Sequence, residues 1–254
     1  MHGISKQIMI KSGLMPLAWQ IRDYFYPPTN EEIEFFKSFI RAGDLCFDVG
    51  ANIGLFIRVL LRAKAKVIAI EPNELCTDYL NRRYGKFVSI YNLALDDIDG
   101  ESELLIDEEE TALGSMSSNW IRASQQSGRL KDHKWTKVQK VKTTTLNKLI
   151  SAHGTPKYIK IDVEGFELNV LRGLTHAVEN ISFEFHPEFL PAANDCIAYI
   201  DSLSNYKYNY IIGEEGKGER MKFVGDWMDS ESLFKELKKY DSNAIYGDIF
   251  AKQT

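Results

Sequence analysis

An aspartate, two glycines and an asparagine lie close together in the segment CFDVGANIGLF, residues 46–56. The segment joins an apolar run to a helical pattern, the place where parallel α/β sheets form nucleotide-binding turns. A pyrophosphate-binding turn needs three glycines so that the backbone can approach the phosphates. Here only Gly50 and Gly54 are present, and Asp48 adds a negative charge that is unfavourable beside a diphosphate. The composition therefore favours a cationic ligand without phosphate.

A second acidic residue, Glu71, ends the next apolar run of the chain. A carboxylate at this place can accept hydrogen bonds from both hydroxyls of a ribose. Since NAD and S-adenosylmethionine both contain ribose, Glu71 alone does not separate them. Together with the missing third glycine it favours S-adenosylmethionine, whose sulfonium and ammonium groups are cationic.

Charged side chains also interrupt two runs that are otherwise typical of buried strands. Lys160 and Asp162 share one face of the strand predicted in KYIKIDVEG, and Glu184 and His186 share one face of the strand predicted in ISFEFHP. Strands buried on both faces should be almost continuously apolar, and burying a charge without partners costs on the order of several kcal/mol. Either these groups form a buried ion-pair network without chemistry, or they form an active site at the carboxyl ends of adjacent strands. We favour the active site.

If a methyl group is transferred to a hydroxyl, a protein group must take the hydroxyl proton. We predict His186 as the general base, because the ordinary pKa of histidine is about 6.5. Glu184, Glu164 and Asp162 are its predicted orienting partners or replacements. A divalent metal held by Asp162, Glu184 and His186 would be an alternative way to acidify the hydroxyl. The chain has no spacing signature of a metal site, so we predict that the site holds no metal.

These residues belong to a chain in which strand and helix patterns alternate, which predicts a parallel sheet covered by helices on both faces. The expected fold is a Rossmann-like α/β domain with seven strands, mostly parallel and with an antiparallel C-terminal strand. The strands are predicted within residues 45–50, 66–72, 87–95, 157–165, 181–187, 208–220 and 244–252.

Three helices follow from the spacing of apolar residues and from capping signals. The first places Leu55, Val59 and Leu60 on one face. The second begins after Asn73 as N-cap and extends to about Tyr84. The third follows the fourth strand and has an apolar face made of Leu168, Leu171, Leu174 and Val178.

Two regions lie outside this alternation. Residues 1–40 are predicted to form a helical N-terminal extension to a domain at 41–254, and residues of about 98–156 to form an insertion in that domain. Within the insertion we expect a hairpin of 101–107 with 136–146 around a polar loop, and we expect residues 111–137 to close over a bound acceptor. The insertion also carries a local excess of basic residues, namely Arg129, Lys131, Lys134, Lys137, Lys140 and Lys142. A solvated strand face explains them more simply than attraction for an anionic substrate.

Bulk properties exclude several classes of protein. The net charge of −5 and a pI near 5.6 argue against a nucleic-acid partner. Cys46, Cys76 and Cys196 are widely spaced and odd in number, as expected for packing residues of a cytoplasmic protein. No apolar run is long enough to span a membrane. Residues 4–15 are expected to be a packing extension or a lid, with peripheral contact with a membrane surface as the alternative.

Five motifs, in this order, resemble the FkbM family of S-adenosylmethionine-dependent methyltransferases: FDVGANIG, IEPN, NLALDD, KIDVEGFELNVLRG and FEFHP. The resemblance runs from about Asp44 to Pro187 and extends to the final YGDIFAK. It implies a seven-stranded Rossmann-like methyltransferase that transfers methyl groups to hydroxyls of saccharides or natural products.

The resemblance also implies which residues bind the cofactor. Asp48, Gly50, Asn52 and Gly54 would hold the methionine part, Glu71 the ribose, and Asp96 with the backbone near Ala94 the adenine. One departure is Asn147, which stands where family members commonly have an aspartate.

The predicted function is O-methylation of a small-molecule or saccharide acceptor, with S-adenosylmethionine as cofactor. Two other classes of protein remain as alternatives, a non-catalytic S-adenosylmethionine-binding module and an NAD-dependent oxidoreductase of related fold. The polar residues of the fourth and fifth strands argue against the first alternative. The acceptor and the oligomeric state do not follow from the sequence.

Overall fold

The structure, a computed structural model, describes residues 14–107, 110, 113–214, 218–219, 221–240 and 245–254. Its strands in chain order are β1 (Leu45–Val49), β2 (Lys66–Ile70), β3 (Ser89–Tyr91), β4 (Ala94–Leu95), β5 (Gly100–Asp107), β6 (Trp135–Thr144), β7 (Tyr158–Ile161), β8 (Asn180–Phe185), β9 (Tyr206–Glu214), β10 (Gly218–Glu219) and β11 (Ile245–Gln253). Its helices are α1 (Met15–Phe25), α2 (Asn30–Lys37), α3 (Leu55–Arg62), α4 (Glu74–Tyr84), α5 (Ser118–Gln126), α6 (Leu146–His153), α7 (Glu167–Arg172), α8 (Leu190–Leu203) and α9 (Ser230–Leu237).

The central sheet has the strand order β10-β9-β11-β8-β7-β1-β2-β3. Strands β3, β2, β1, β7 and β8 pair in parallel, whereas β11 runs antiparallel to both β8 and β9. Seven of the eight strands are those predicted from the sequence, and the two-residue β10 extends the edge beyond β9. The expected Rossmann-like sheet with an antiparallel C-terminal strand is therefore confirmed.

Helices cover both faces of this sheet, as predicted. On one face, apolar side chains of β1, β7 and β8 such as Phe47, Ile159 and Phe183 pack in a single core with residues of α6, α7, α8 and α9. On the other face, Cys46, Tyr158 and their neighbours pack against α2, α3 and α4.

The third predicted strand is divided between two sheets. Residues of β3 pair with β2, but after Asn92 and Leu93 the chain turns away and β4 pairs in parallel with β6. Strands β5 and β6 form the expected antiparallel hairpin, so β4, β6 and β5 make a separate small sheet. The polar segment predicted as a loop inside this hairpin contains α5, whose N-cap Ser117 accepts a hydrogen bond from the Trp120 amide.

Two predicted helical faces need correction. In α3 the buried residues are Ile57, Val59 and Leu60, while the side chain of Leu55 is exposed because it faces the open cavity described below. Helix α7 ends at Arg172, so Leu174 and Val178 are buried from the following turn and not from a longer helix. The N-cap of α4 is as predicted, since Asn73 Oδ1 accepts a hydrogen bond from the Leu75 amide.

The N-terminal helix α1 packs onto the central domain. Trp19 is buried against Tyr79 of α4, with their rings edge to face at 5.2 Å. Asp23 is also buried, and its carboxylate accepts a hydrogen bond from the Tyr79 hydroxyl at 3.0 Å and lies 3.4 Å from the guanidinium of Arg58. Residues 4–13 of the predicted N-terminal segment lie outside the described residues. Within the described part of the chain, no helix is long and apolar enough to cross a membrane.

Gly50 allows the loop after β1 to contact the end of β7. It has φ +83°, and a Cβ atom built on it would lie 1.7 Å from the carbonyl oxygen of Asp162. Gly43 has a similar φ of +91°, but a Cβ atom built on it would have no described neighbour within 4 Å. Substitutions at these two glycines can therefore be compared to distinguish the cost of backbone strain from the cost of steric overlap.

We expect Gly50→Ala to destabilise the protein much more than Gly43→Ala. Both changes incur the left-handed backbone penalty of about 1–2 kcal/mol, but only the first adds an overlap costing about 1–3 kcal/mol or more. Urea unfolding of both variants checks the difference. Equal losses in the free energy of unfolding would show that the Gly50–Asp162 approach does not constrain the fold.

Candidate active site

The bend after β1 has left-handed backbone at Gly50, Asn52 and Gly54, with φ of +83°, +47° and +82°. The amides of Gly50 and Ala51 both donate to the carbonyl of Ile70 at the end of β2. Gly54 is the N-cap of α3, and a Cβ on it would overlap Tyr84 and Leu80 of α4. The glycines thus let the chain turn tightly between β2, β7 and α4.

Glu71 is held beside this bend by two backbone amides. Its Oε2 accepts a hydrogen bond from the Asn52 amide and its Oε1 from the Asn73 amide, each at 2.7 Å. Burial raises the pKa of Glu71 to about 7, and the bonds from Asn73 and Asn52 oppose that rise. Each carboxylate oxygen has a second lone pair. The side chain is therefore fixed in an orientation that leaves acceptors for two ribose hydroxyls.

A cavity of about 430 Å³ opens at the carboxyl ends of β1, β2, β7 and β8. This volume is within the range of small-molecule and cofactor sites. Polar lining residues are Gly50, Asn52, Glu71, Asn73, Asp162, Glu164 and Glu184, and apolar ones include Ile70, Leu95, Leu104, Met116, Phe166 and Tyr246. The structure thus brings predicted cofactor-binding and catalytic residues into one cavity.

Beneath the cavity, one face of the sheet carries a row of charged residues. Asp48 lies opposite Lys160 in the β1–β7 register, and the ammonium of Lys160 donates a hydrogen bond to Asp162 Oδ2 at 2.5 Å. Burial alone would lower the pKa of Lys160, but Asp162, Asp248 and Asp48 raise it well above its ordinary value. Lys160 therefore stays charged and compensates the surrounding carboxylates.

The same burial acts on the aspartates in the opposite sense. It raises the pKa of Asp48 to about 7 and also raises that of Asp162, while Lys160 opposes both shifts. Asp48 lies outside the cavity lining, and its Oδ2 is buried without a hydrogen-bond partner in the described part of the chain. It therefore lies below the bend rather than in the cavity wall.

Glu184 and His186 form an ion pair at the end of β8. His186 Nε2 lies 3.1 Å from Glu184 Oε2, and the imidazole is buried with its centroid 6.1 Å from that of Trp120. Burial alone would raise the pKa of Glu184 and lower that of His186, but their mutual attraction reverses both shifts. Glu184 lines the cavity, whereas His186 lies behind it beside Trp120, Phe189 and Cys196.

Glu164 completes the acidic end of the cavity. It has a left-handed backbone with φ +55°, and its carbonyl accepts a hydrogen bond from the Ser115 hydroxyl at 2.7 Å. Burial raises the pKa of its carboxyl well above the ordinary value, and the neighbouring Glu184 and Asp162 raise it further. Its Oε2 is buried and has no hydrogen-bond partner among the described residues.

The insertion covers this acidic end. Trp120 of α5 is fully buried, and a Cβ on Gly165 would lie 2.2 Å from the Trp120 Cβ. Arg129 Nε donates to Glu188 Oε1 at 2.5 Å, and the guanidinium lies 5.5 Å from the Trp120 ring centroid. Arg129 thus ties the insertion to the segment after β8 and is not part of a solvated basic face. Closure of residues 111–137 over an acceptor stays a prediction, and residues 111–112 lie outside the described part of the chain.

Three of the residues that the resemblance implies are not among the cavity-lining residues, namely Asp48, Gly54 and Asp96. Asp96 accepts hydrogen bonds from the Asp97 amide and from Asn169 Nδ2, and it is not among the cavity-lining residues. Ala94 and Leu95 line the cavity in its place. Asn147 instead ties α6 to the loop after α7, because its side chain bonds both the amide and the hydroxyl of Thr175.

Several cavity residues were missed by the sequence interpretation. Leu104 comes from the hairpin, Met116 from the segment before α5, and Tyr246 from β11. The alternating pattern of ESELLID predicts an inward-facing side for Leu104, but nothing in the local sequence indicates which sheet that side meets.

A model of the methyltransferase FkbM domain matches residues 48–212, which is well over half of the chain. The chain belongs to the FkbM methyltransferase family. The matched region contains the bend, Glu71 and the polar ends of β7 and β8, so all the cavity-lining acidic residues lie within it. This FkbM methyltransferase uses S-adenosylmethionine as its cofactor, and the NAD-dependent alternative is thereby set aside.

Among curated proteins, the chain is 26% identical to the hexuronic acid methyltransferase AglP of Haloferax volcanii over 172 residues. The alignment covers 65% of this chain and 63% of that relative. Among solved structures, the FkbM methyltransferase of Methylobacillus flagellatus aligns with a TM-score of 0.49 and 15% identity, over 87% of this chain and 47% of that one. An S-adenosylmethionine-dependent O-methyltransferase of Thermotoga maritima aligns with a TM-score of 0.43 and 12% identity, over 89% and 65%.

We expect the affinity for S-adenosylhomocysteine to rise between pH 6 and 8 in the wild-type protein. Glu71 has a pKa raised to about 7, and its ionised form accepts hydrogen bonds from the ribose more strongly than its protonated form. Glu71→Gln should weaken binding and flatten this rise, as measured by calorimetric titration. The titration of the ligand itself affects both proteins equally. The difference between their pH profiles of affinity therefore reports the titration of Glu71.

The control for this prediction is Asp78→Asn, which removes an exposed carboxylate of α4 outside the cavity. It should leave both the affinity and its pH dependence unchanged. A pH dependence that is the same in Glu71→Gln and in the wild type would assign it to another group, such as Asp48 or Glu167, since burial raises the pKa of each to about 7.

Proposed function

We propose that this FkbM methyltransferase transfers the methyl group of S-adenosylmethionine to a hydroxyl of a saccharide. The observation that carries the proposal is that Asp162, Glu164 and Glu184 line the same cavity as Glu71 and the Gly50 bend. A non-catalytic binding module has no need for three partly buried carboxylates in one cavity, because partial burial of charged groups is costly. Their presence favours a reaction that releases a proton.

The relative from Haloferax volcanii supports a saccharide as the acceptor class. Its name describes methylation of a hexuronic acid, a sugar with several hydroxyl groups. The identity of 26% and the coverage of 63% of that relative make this a proposal for the present chain. Hexuronic acids and other saccharides that carry hydroxyls are therefore the acceptors to test first.

The reaction itself is a displacement at carbon. The acceptor oxygen forms a bond to the methyl carbon as the bond from that carbon to sulfur breaks, and the hydroxyl proton passes to a protein group. The protein contributes mainly by holding the oxygen, carbon and sulfur in line and by accepting this proton.

Asp162 is the best-placed proton acceptor of the acidic end. It follows β7 directly and its carbonyl abuts Gly50, so its side chain lies in the cavity wall next to the cofactor bend. Lys160 holds the carboxylate from the side of the sheet. His186, which the sequence indicated as the base, does not line the cavity, whereas its partner Glu184 does. In this proposal it is a positioning residue for Glu184.

We expect Asp162→Asn to lower kcat by roughly 10²–10⁴, the usual contribution of a positioned base, with little change in affinity for S-adenosylhomocysteine. Glu184→Gln and His186→Ala should each cost less. The assay is transfer of labelled methyl from S-adenosylmethionine to a panel of hexuronic acids and neutral saccharides. Asp97→Asn serves as the control carboxylate outside the cavity.

The order of these losses decides the assignment. A larger loss for His186→Ala than for Asp162→Asn would return the role of base to the histidine. Absence of methyl transfer to every saccharide of the panel, with cofactor binding intact, would reject the saccharide class.

A separate prediction concerns the closure of the insertion over a bound acceptor. If residues 113–137 close over the acceptor, their backbone amides should exchange with deuterium more slowly when S-adenosylhomocysteine and an accepted saccharide are both bound than with cofactor product alone. Mass-spectrometric hydrogen exchange measures this difference. Equal protection in the free, cofactor-bound and fully liganded protein would mean that the insertion is a fixed wall.

A further inference from the structure

Glu164, Glu184 and His186 form a cluster to which the proposed reaction assigns no direct chemical step. One potential ligand atom from each of the three side chains lies within 4.8 Å of the others. Carboxylates and imidazole are common ligands of divalent cations, and three protein ligands leave coordination positions open to a substrate or water. The composition of the cluster is therefore that of an open metal site.

Unpaired buried atoms give an independent indication that something binds here. Glu164 Oε2 and His186 Nδ1 are both shielded from solvent and have no hydrogen-bond partner among the residues that the structure describes, and only 6% of His186 is exposed. Buried polar atoms in folded proteins nearly always have a partner, and a missing ion or water is a common reason when they do not. The unpaired Glu164 Oε2 belongs to the cluster itself, and His186 faces Glu184 with its other ring nitrogen, Nε2.

The cations around the cluster are already engaged by other carboxylates. Lys160 donates to Asp162, and Arg129 donates to Glu188. His186 pairs with Glu184 through Nε2, which leaves Glu164 without an ion-pair partner within the described ranges. A bound cation would neutralise two neighbouring carboxylates at once.

We propose that Glu164, Glu184 and His186 bind one divalent cation at the acceptor end of the cavity. Because Glu164 and Glu184 line the cavity, the open coordination positions of the cation would face the acceptor. It would then hold an acceptor through two adjacent oxygens, either two hydroxyls or a hydroxyl and a carboxylate. This role rests on the proposed function, whereas the binding of the cation can be measured without turnover.

The surrounding structure fixes two of the three ligands. The Ser115 hydroxyl donates to the carbonyl of Glu164, and Trp120 covers the imidazole of His186. Both contacts come from the insertion. Packing of the insertion against the ends of β7 and β8 therefore helps to hold two ligands of the proposed site in place.

The test is titration of the chelator-treated protein with MnCl₂ in the presence of S-adenosylhomocysteine, with free Mn²⁺ followed by electron paramagnetic resonance. We expect one Mn²⁺ per chain. Glu164→Gln and His186→Ala should each weaken binding by at least about tenfold, since even residues that only support metal ligands contribute 10–100-fold. Glu103→Gln removes an exposed carboxylate of β5 and should leave Mn²⁺ affinity unchanged.

A measurement on the unmodified protein covers the case in which a variant does not fold. The ¹⁴N nucleus of His186 should appear as an electron spin-echo modulation of bound Mn²⁺. Absence of Mn²⁺ binding up to millimolar concentrations, absence of ¹⁴N modulation, or binding unchanged in both folded variants would each overturn the site. Thermal unfolding and affinity for S-adenosylhomocysteine identify the variants that are folded.

The experiments distinguish a failure of the cation site from a failure of the proposed methyl-transfer reaction. Methyl transfer that continues in excess chelator, together with failed Mn²⁺ binding, would remove the cation site and leave the methyltransferase proposal intact. Mn²⁺ binding with ¹⁴N modulation but no transfer to any saccharide would keep the site and reject the acceptor class.

Discussion

The charge balance of the acidic site depends on the interactions of the Lys160 ammonium with the surrounding carboxylates. Asp48, Asp162 and Asp248 all lie close enough to raise its pKa, and these residues occupy one face of a sheet that is otherwise packed with apolar side chains. Without a central cation, several carboxylates on this face would be uncompensated in a medium of low dielectric constant. Lys160 therefore makes it possible to keep several acid groups on this face of the sheet, at the edge where the cavity opens.

A steric constraint complements this charge balance. The loop after β1 carries the cofactor bend, and the end of β7 carries Asp162 and Glu164. They meet at Gly50, where no side chain fits. The predicted donor-binding bend and Asp162, the proposed proton acceptor, are consequently held in close backbone contact. This rigidity matters because in-line transfer depends strongly on the relative position of the reacting atoms.

Much of this arrangement could be predicted from the sequence, because its signals are local or periodic. The bend, Glu71 and the N-cap at Asn73 follow from residue types at fixed positions of a strand–turn–helix unit. The polar residues of β7 and β8 stood out because they interrupt apolar runs, and alternation placed them correctly on shared faces. The parallel order followed from the alternation of strands and helices.

The features that could not be predicted depend on contacts between segments that are distant in the sequence. Nothing near Asp96 in the sequence shows that Asn169 pairs with it, and nothing near His186 shows that Trp120 packs beside it. The division of β3 from β4 depends on the pairing of β4 with β6, some fifty residues later in the chain. Met116 and Tyr246 enter the cavity through packing of the insertion and of β11, which no local pattern encodes.

The small β4–β6–β5 sheet and α5 have a consequence for how such an enzyme can diversify. They belong to one contiguous stretch of chain, and this stretch supplies Leu104, Met116 and the Trp120 cover, whereas the bend and Glu71 come from the preceding β1–α4 unit. Substitutions or length changes in a single segment can thus reshape one wall of the cavity while the bend and Glu71 keep their geometry. Under the proposed function, selection for a new acceptor can act on one interval of the gene and leave the predicted donor-binding half under its older constraint.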